Sequence, residues 1–275
     1  MPLHPIRSAA LAVVLLAVAF SPAAASAAPP WAPAASATIH PGVQTFTDGG
    51  QCTANFVYTG ADGAVYLGQA AHCSGTGEAT ETDGCSSASL PLGTPVEVTG
   101  ASRPGKLVYN SWLTMQAAGE DDPDVCAYND LALIELDPAD VAAVNPSIPT
   151  FGGPTGVGGD SATGDRVYSY GNSSLRGGIT LLSPKRGLVV QTDGGGWSRA
   201  VYTVTPGIPG DSGSAFLDAD GGAIGVLSTV ALAPLPLSNG VGDLGRELAY
   251  AQEKSGIPGL ALALGTEPFS ATALP

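Results

Sequence analysis

The sequence predicts an all-β protein, and three observations carry that prediction. Apolar and β-branched residues come in short runs, such as Cys52-Thr53-Ala54-Asn55-Phe56-Val57-Tyr58 and Ile224-Gly225-Val226-Leu227-Ser228-Thr229, a length that suits strands better than helices. Turn formers divide the runs: the chain holds 38 glycines and 23 prolines, clustered as in Gly60-Ala61-Asp62-Gly63 and Asp218-Ala219-Asp220-Gly221-Gly222. A clear helix start and stop occur together near the C-terminus, where Asp243 precedes a helical stretch that Gly256 and Pro258 end.

At the other end, His4 and Arg7 precede an apolar run from Ala9 to Phe20 and the small-residue site Ala25-Ser26-Ala27, the pattern of a secretory signal peptide over 1–27. The run is too short to span a membrane. Cleavage after Ala27 leaves about 248 residues, enough for one all-β unit or two small barrels. The protein is therefore expected to be secreted and extracellular. In that oxidising compartment Cys52, Cys73, Cys85 and Cys126 are expected to form two disulfides, whose pairing the spacing leaves open. A formal net charge of −14, with 10 Lys plus Arg, argues against nucleic acid or an anionic membrane as partner.

Residues 28–42 begin with Pro29, Pro30 and Pro33 and are expected to be a flexible segment. Strand character opens near Val43 and begins a first half over 43–145. It continues through Cys52 to Tyr58, and the turn at Gly60 to Gly63 leads back into Ala64-Val65-Tyr66-Leu67 as a hairpin. Glu78 to Pro91 reads as a polar loop carrying Cys85. Strands resume at Val96-Glu97-Val98 and over Lys106 to Met115, where apolar and polar residues partly alternate. The acidic run Glu120-Asp121-Asp122-Pro123-Asp124 offers calcium ligands, but its proline and like charges favour a solvated turn. Leu131 to Leu136 is a dense apolar strand.

Pro146 to Asp160, rich in Pro and Gly, reads as the linker into a second half over 146–260. Strands are expected from Arg166 to Tyr170, over Ile179 to Leu182, Gly187 to Thr192, Arg199 to Val204, Ser214 to Leu217 and Ala223 to Thr229. Asp243 is placed to cap a helix through Lys254. Residues 261–275 are left as a tail.

Three stretches carry chemistry. Ser212 lies in Ile208-Pro209-Gly210-Asp211-Ser212-Gly213-Ser214. A serine hydroxyl is a weak nucleophile unless a base stands beside it and amide donors face the oxyanion it creates. Gly210 and Gly213 let the backbone turn tightly enough to supply such donors, although the same residue types also build ordinary turns. With the signal removed, the histidines are His40 and His72. His72 follows the strand ending in Gln69-Ala70-Ala71, a place where a scaffold presents a side chain to a cleft. A metal site built from His72 and the cysteines matches no zinc spacing. Asp130 stands at the head of the Leu131 strand, where burial would leave a carboxylate in need of a partner such as an imidazole N–H; capping a turn is its other reading.

Ala70-Ala71-His72-Cys73, Asn129-Asp130-Leu131-Ala132-Leu133 and Gly210-Asp211-Ser212-Gly213 resemble the catalytic motifs of the chymotrypsin-like (trypsin-like) serine peptidases, of the bacterial secreted kind. They also stand in that family's order of His, Asp, Ser. The resemblance spans roughly Cys52 to Lys254. It implies two six-stranded antiparallel β-barrels with a C-terminal helix. It makes Ser212 the nucleophile, His72 the general base, Asp130 the orienting carboxylate, and the Gly210 and Ser212 amides the oxyanion hole. It also implies a Cys52–Cys73 disulfide, which leaves Cys85 with Cys126. Arg166-Val167-Tyr168-Ser169-Tyr170-Gly171-Asn172-Ser173 looks like the family's Gly-Trp-Gly-Asn-Thr strand, with Tyr170 in place of the tryptophan. Ile224 to Thr229 resembles the segment that lines the specificity pocket, with Ser228 supporting the buried aspartate.

The implied activity is a secreted serine endopeptidase acting through an acyl-enzyme on protein or peptide substrates, monomeric, with no cofactor and no metal. A catalytically silent binding module on the same fold and an esterase using the same triad are the alternatives. Two departures from the family pattern bear on specificity. Pro206 stands six residues before Ser212, where trypsins carry an aspartate, and Val230, after Ser228 and Thr229, replaces a glycine of the pocket mouth. Together they imply a non-trypsin-like preference for small or medium apolar side chains. Asp211 needs a partner if buried; Arg166 is the expected one.

Overall fold

A computed structural model describes Met1 and residues 29–48, 50–77, 82–231 and 236–272; apart from Met1, the expected signal peptide lies outside the described residues. The strands fall into two sheets. The first uses β1 (Gln44–Thr47), β2 (Gly50–Thr53), β3 (Val57–Thr59), β4 (Val65–Ala70), β5 (Pro95–Val98), β6 (Gly105–Asn110) and β7 (Leu131–Glu135). The second uses β8 (Gly156–Val157), β9 (Arg166–Tyr170), β10 (Pro184–Asp193), β11 (Ser198–Thr203), β12 (Ala215–Leu217), β13 (Gly222–Ala231) and β14 (Ser238–Asp243), and a last strand, β15 (Ala261–Leu262), returns to the first sheet.

The second half is a closed antiparallel barrel: β12, β9, β10, β11, β14 and β13 pair in that order, and β12 pairs back onto β13. β8 joins β13 from outside, in parallel. The first half is an open, curled sheet in the order β15, β3, β4, β7, β6, β5, β1, β2, so the expected first barrel is not closed by hydrogen bonds among the described residues. Burial follows sequence as strand physics requires. β5 alternates exposed and buried residues, as a strand with one face in water does. In β4 every residue is buried, because both of its faces are covered. One hydrophobic core runs through both halves, with Phe56, Tyr58, Leu131 and Leu133 on one side, Tyr168 and Leu217 on the other, and Leu244 and Leu248 from the C-terminal helix.

Among the described residues three α-helices accompany the sheets: α1 (Ser111–Ala118), α2 (Pro123–Tyr128) and α3 (Leu244–Lys254). α3 starts where Asp243 accepts the Arg246 N–H. The strand expected over Lys106 to Met115 stops at Asn110 instead. The Asn110 side chain accepts the Leu113 N–H, and Gly119 ends α1 in the left-handed conformation, so cap chemistry overrides the partial alternation. The acidic run is not a plain turn either: Asp122 caps α2 with Pro123 in its first turn. Ile179 to Leu182, expected as a strand, contains a 3-10 turn over Thr180–Leu182 with exposed side chains.

Both terminal segments are more ordered than their composition suggests. In the segment expected to be flexible, the Ala32 N–H donates to Val144 O and the Ile39 N–H to Ala143 O, and Ile39 is fully buried. The expected tail contains β15, whose Leu262 pairs with Tyr58 of β3.

Candidate active site

His72 reaches the site from the end of β4. The chain leaves the sheet in a 3-10 turn over Ala71–Ser74, which keeps Ala71 and Cys73 buried. The Cys52–Cys73 disulfide fastens that turn to β2, and a second disulfide joins Cys85 to Cys126. β7 lies beside β4 with Leu131 opposite Ala70, so the register alone places Asp130 next to the turn, and the Ala71 N–H donates to Asp130 O over 2.8 Å.

The Asp130 carboxylate is almost wholly buried and takes three donors. Oδ1 accepts the His72 backbone N–H at 2.9 Å; Oδ2 accepts His72 Nδ1–H at 2.7 Å and Ser228 Oγ–H at 2.5 Å. That pairing fixes the imidazole tautomer with its proton on Nδ1 and Nε2 free to act as a base. Burial depresses the His72 pKa, but the charge and hydrogen bond of Asp130 outweigh it and leave the value above the ordinary 6.5.

Ser212 comes from the other half. Its carbonyl accepts the Thr53 N–H of β2 at 2.8 Å, which pins the Ser212 loop across the divide. His72, Ser212, Ser228 and Thr229 all line one cleft of about 880 Å³. No hydrogen bond joins Ser212 Oγ to the imidazole among the described residues; such contacts often tighten only when the reacting complex forms. Gly213 has φ +87°, and a Cβ there would lie 2.5 Å from Thr53 O and 2.9 Å from Ala70 N, so only glycine allows the two halves to approach this closely. Neither the Gly210 nor the Ser212 N–H donates to a protein acceptor among the described residues, which leaves two amides available to an oxyanion.

Asp211 is fully buried and is not partnered by Arg166, which is exposed at the start of β9. Its Oδ2 instead accepts Arg176 Nη2 at 2.5 Å and Lys185 Nζ at 3.0 Å, and its Oδ1 accepts the Ser173 N–H at 3.0 Å. Lys185 is itself fully buried. Burial pulls its ammonium below the ordinary pKa, and Asp211 opposes that pull.

The sequence pattern of the trypsin-like peptidase domain matches residues 58–226, more than half of the chain and a span that includes His72, Asp130 and Ser212. The chain belongs to the trypsin-like peptidases. No curated protein sequence matches it. Among solved structures it is similar to Thermobifida fusca protease A, at 17% identity and a TM-score of 0.53, over 82% of this chain and 99% of that one. It is also similar to a glutamic acid-specific serine protease, at 16% identity and a TM-score of 0.53, over 82% of this chain and 100% of that one. At such identities the likeness establishes the chymotrypsin-like fold.

In this peptidase the expected pocket residues separate. Ser228 and Thr229 line the cleft, and the Val230 backbone pairs with Asn239, while the Val230 side chain lies outside the described residues. Pro206 is not among the cleft-lining residues. Its carbonyl is turned to Arg176 Nη2 at 3.0 Å and Lys185 Nζ at 3.3 Å. Cys52, His72 and Cys73 place possible metal donors within 4.8 Å of one another, but both sulfurs are spent in the disulfide and offer no thiolate.

Three buried groups at the site escaped sequence reasoning. Lys185 and Arg176 serve Asp211 from distant positions, and the only sign of them was how few cations the chain has. Glu247, on α3, accepts the Asp130 N–H through Oε1 at 2.9 Å. Burial pushes its carboxyl well above the ordinary range, the Asp130 N–H opposes this, and the charges of Asp130 and Asp243 add to the rise. A glutamate within an amphipathic helix reads as solvent-facing, so nothing local marked it.

Proposed function

We propose that the chain is a secreted serine endopeptidase that cleaves peptide bonds through an acyl-enzyme on Ser212. One observation carries the reading: a single buried carboxylate, Asp130, holds His72 by Nδ1, and His72 and Ser212 face the same cleft. Ser212 Oγ attacks the peptide carbonyl while His72 Nε2 takes its proton, and the same nitrogen returns the proton to the leaving amine. Water then repeats the sequence on the ester. Asp130 keeps the tautomer and stabilises the imidazolium. The Gly210 and Ser212 amides receive the oxyanion, a donation worth roughly 3 kcal/mol each in such sites. Two disulfides and the pattern over 1–27 support export.

The proposed preference before the scissile bond is for small or medium apolar side chains, from Pro206 and Val230, and Asn239 orders the cleft wall beside Thr229. Asn239 is fully buried; it accepts the Gly207 N–H at 2.8 Å, and its amide reaches the carbonyls of Gly207 and Thr229, both at 3.4 Å. It therefore ties the strand carrying Thr229, which lines the cleft, to the segment after Pro206.

The test is mass spectrometry after exposure to a serine-directed fluorophosphonate, followed by a peptide panel varying only the residue before the scissile bond. A single adduct on Ser212, absent from Ser212→Ala, with faster cleavage after Ala than after Phe or Arg, is expected. An unlabelled, folded chain would point to a binding module. A strong preference for Arg would overturn the specificity.

A further inference from the structure

We infer that Ser173, backed by Gln51 and Thr53, is a positioning residue that keeps the oxyanion amides aimed into the cleft; the inference rests on the reading of Ser212 as nucleophile. In a planar trans peptide the N–H points opposite to the carbonyl of the same unit. The direction of the Gly210 N–H is thus set by the Pro209 carbonyl, and that carbonyl accepts Ser173 Oγ–H at 2.6 Å. By the same rule the Asp211 carbonyl sets the Ser212 N–H, and it accepts the Ser214 N–H at 3.0 Å together with the Ser214 hydroxyl. The peptide between them is held from the first sheet: Gly210 O accepts Gln51 Nε2 at 2.9 Å and Thr53 Oγ1 at 2.7 Å.

Three successive carbonyls are thus fixed around two unpaired amides. The restraint matters because Gly210, at φ +93°, lacks the Cβ that would bar other backbone conformations. Rotation of the Pro209–Gly210 peptide would cost little by itself and would remove one donor. Ser173 is suited to prevent it. It is 2% exposed, and its own N–H is held by Asp211 Oδ1. Its neighbours are bolted to the same strand of the first sheet, since the Ser174 N–H donates to Gln51 Oε1 at 2.9 Å and the Asn172 N–H to Thr53 Oγ1 at 3.1 Å. Residues 172–174 therefore brace the nucleophile loop against β2 across the two halves.

Ser173→Ala removes the hydroxyl and keeps the backbone bond to Asp211. Deleting a whole oxyanion donor costs about 100- to 1000-fold in kcat, so releasing one from its brace should cost about 10- to 100-fold with KM for a peptide substrate little changed. A peptide aldehyde inhibitor, whose adduct loads the oxyanion hole, should lose affinity by the same factor, and Ser173→Thr should restore both. Gln51→Ala, at a partly exposed position, should show a smaller loss of the same kind even if Ser173→Ala folds poorly. An active wild type with unchanged kcat in both alanine variants would overturn the inference alone, as would a loss that Ser173→Thr fails to restore while Gln51→Ala remains fully active. A wild type that neither hydrolyses peptides nor reacts with a fluorophosphonate would overturn the Ser212 reading, and this inference with it.

Discussion

Asp130 and Asp211 are both buried carboxylates, and the sequence disclosed the partners of only one. His72 lies in a local motif whose residues name each other, and β4 pairs directly with β7, so strand order was enough to bring His72 to Asp130. Arg176 and Lys185 reach Asp211 from a turn and a strand that no short-range pattern connects to it. Arg166 was favoured because it lies by the strand expected to border the site, but it sits at the exposed end of β9. The His72–Asp130 pair also sets a pH dependence. As the proposed base, His72 must be neutral to act, and its pKa lies above 6.5 because of Asp130. Peptidase activity, measured as kcat/KM, should therefore rise with pH through a midpoint above 6.5. Asp130→Asn removes the charge that raises the pKa and leaves the burial that lowers it, so the midpoint should move to lower pH, with a rate loss of about 10⁴-fold from the lost tautomer control. A midpoint unmoved in Asp130→Asn would mean that another group governs the profile.

At the scale of elements, strands in the runs of apolar residues were legible, and so was α3, because the Asp243 cap and the Gly256 stop are local signals. α1 was misread because its Trp-Leu-Thr-Met stretch partly alternates, and the deciding contact, Asn110 to Leu113, is a cap that propensity alone does not reveal. What α3 does for the site was not legible at all. It carries Glu247 into the core behind Asp130, and that element should show a pH signature of its own. The folded-state pKa of Glu247 lies well above 4.5 because burial favours the neutral acid. A raised folded-state pKa contributes stability that is fully present below the unfolded value and is lost as pH rises through the folded one. Glu247→Gln keeps an acceptor for the Asp130 N–H and carries no charge at any pH. Its Tm relative to wild type should therefore climb as pH rises above the ordinary carboxylate range. Glu247→Ala leaves that buried N–H unpaired and should cost about 1–3 kcal/mol. Parallel Tm curves for Glu247→Gln and wild type would show that folding does not raise the pKa of this carboxyl.

For the whole molecule, the sequence showed two halves of strands but not what straps them together. Residues 261–275 lack periodicity, and read in isolation they look like a tail. Their partners are tertiary. β15 extends the first sheet, the Thr266 and Glu267 N–H groups donate to Ser147 Oγ, the Gly265 N–H donates to Pro154 O, and Phe269 packs edge-on against Tyr168 of the second sheet with ring centroids 5.4 Å apart. Leu260 is buried in the core that both halves share. The segment thus joins the first sheet, the linker and the second sheet, and none of its described residues lines the cleft. A chain ending at Pro258 would lose the buried Leu260, worth about 1.5–3 kcal/mol, and the half-buried Phe269, worth less, along with the edge pairing of β3. Its Tm should fall markedly, by the equivalent of several kcal/mol, while kcat at low temperature stays close to wild type because His72, Asp130, Ser212 and the bonds that hold them are untouched. An unchanged Tm would make the segment an ornament on two halves that hold together through the shared core alone. A kcat lost in step with Tm at temperatures where the chain is folded would instead tie this strap to the geometry of the cleft.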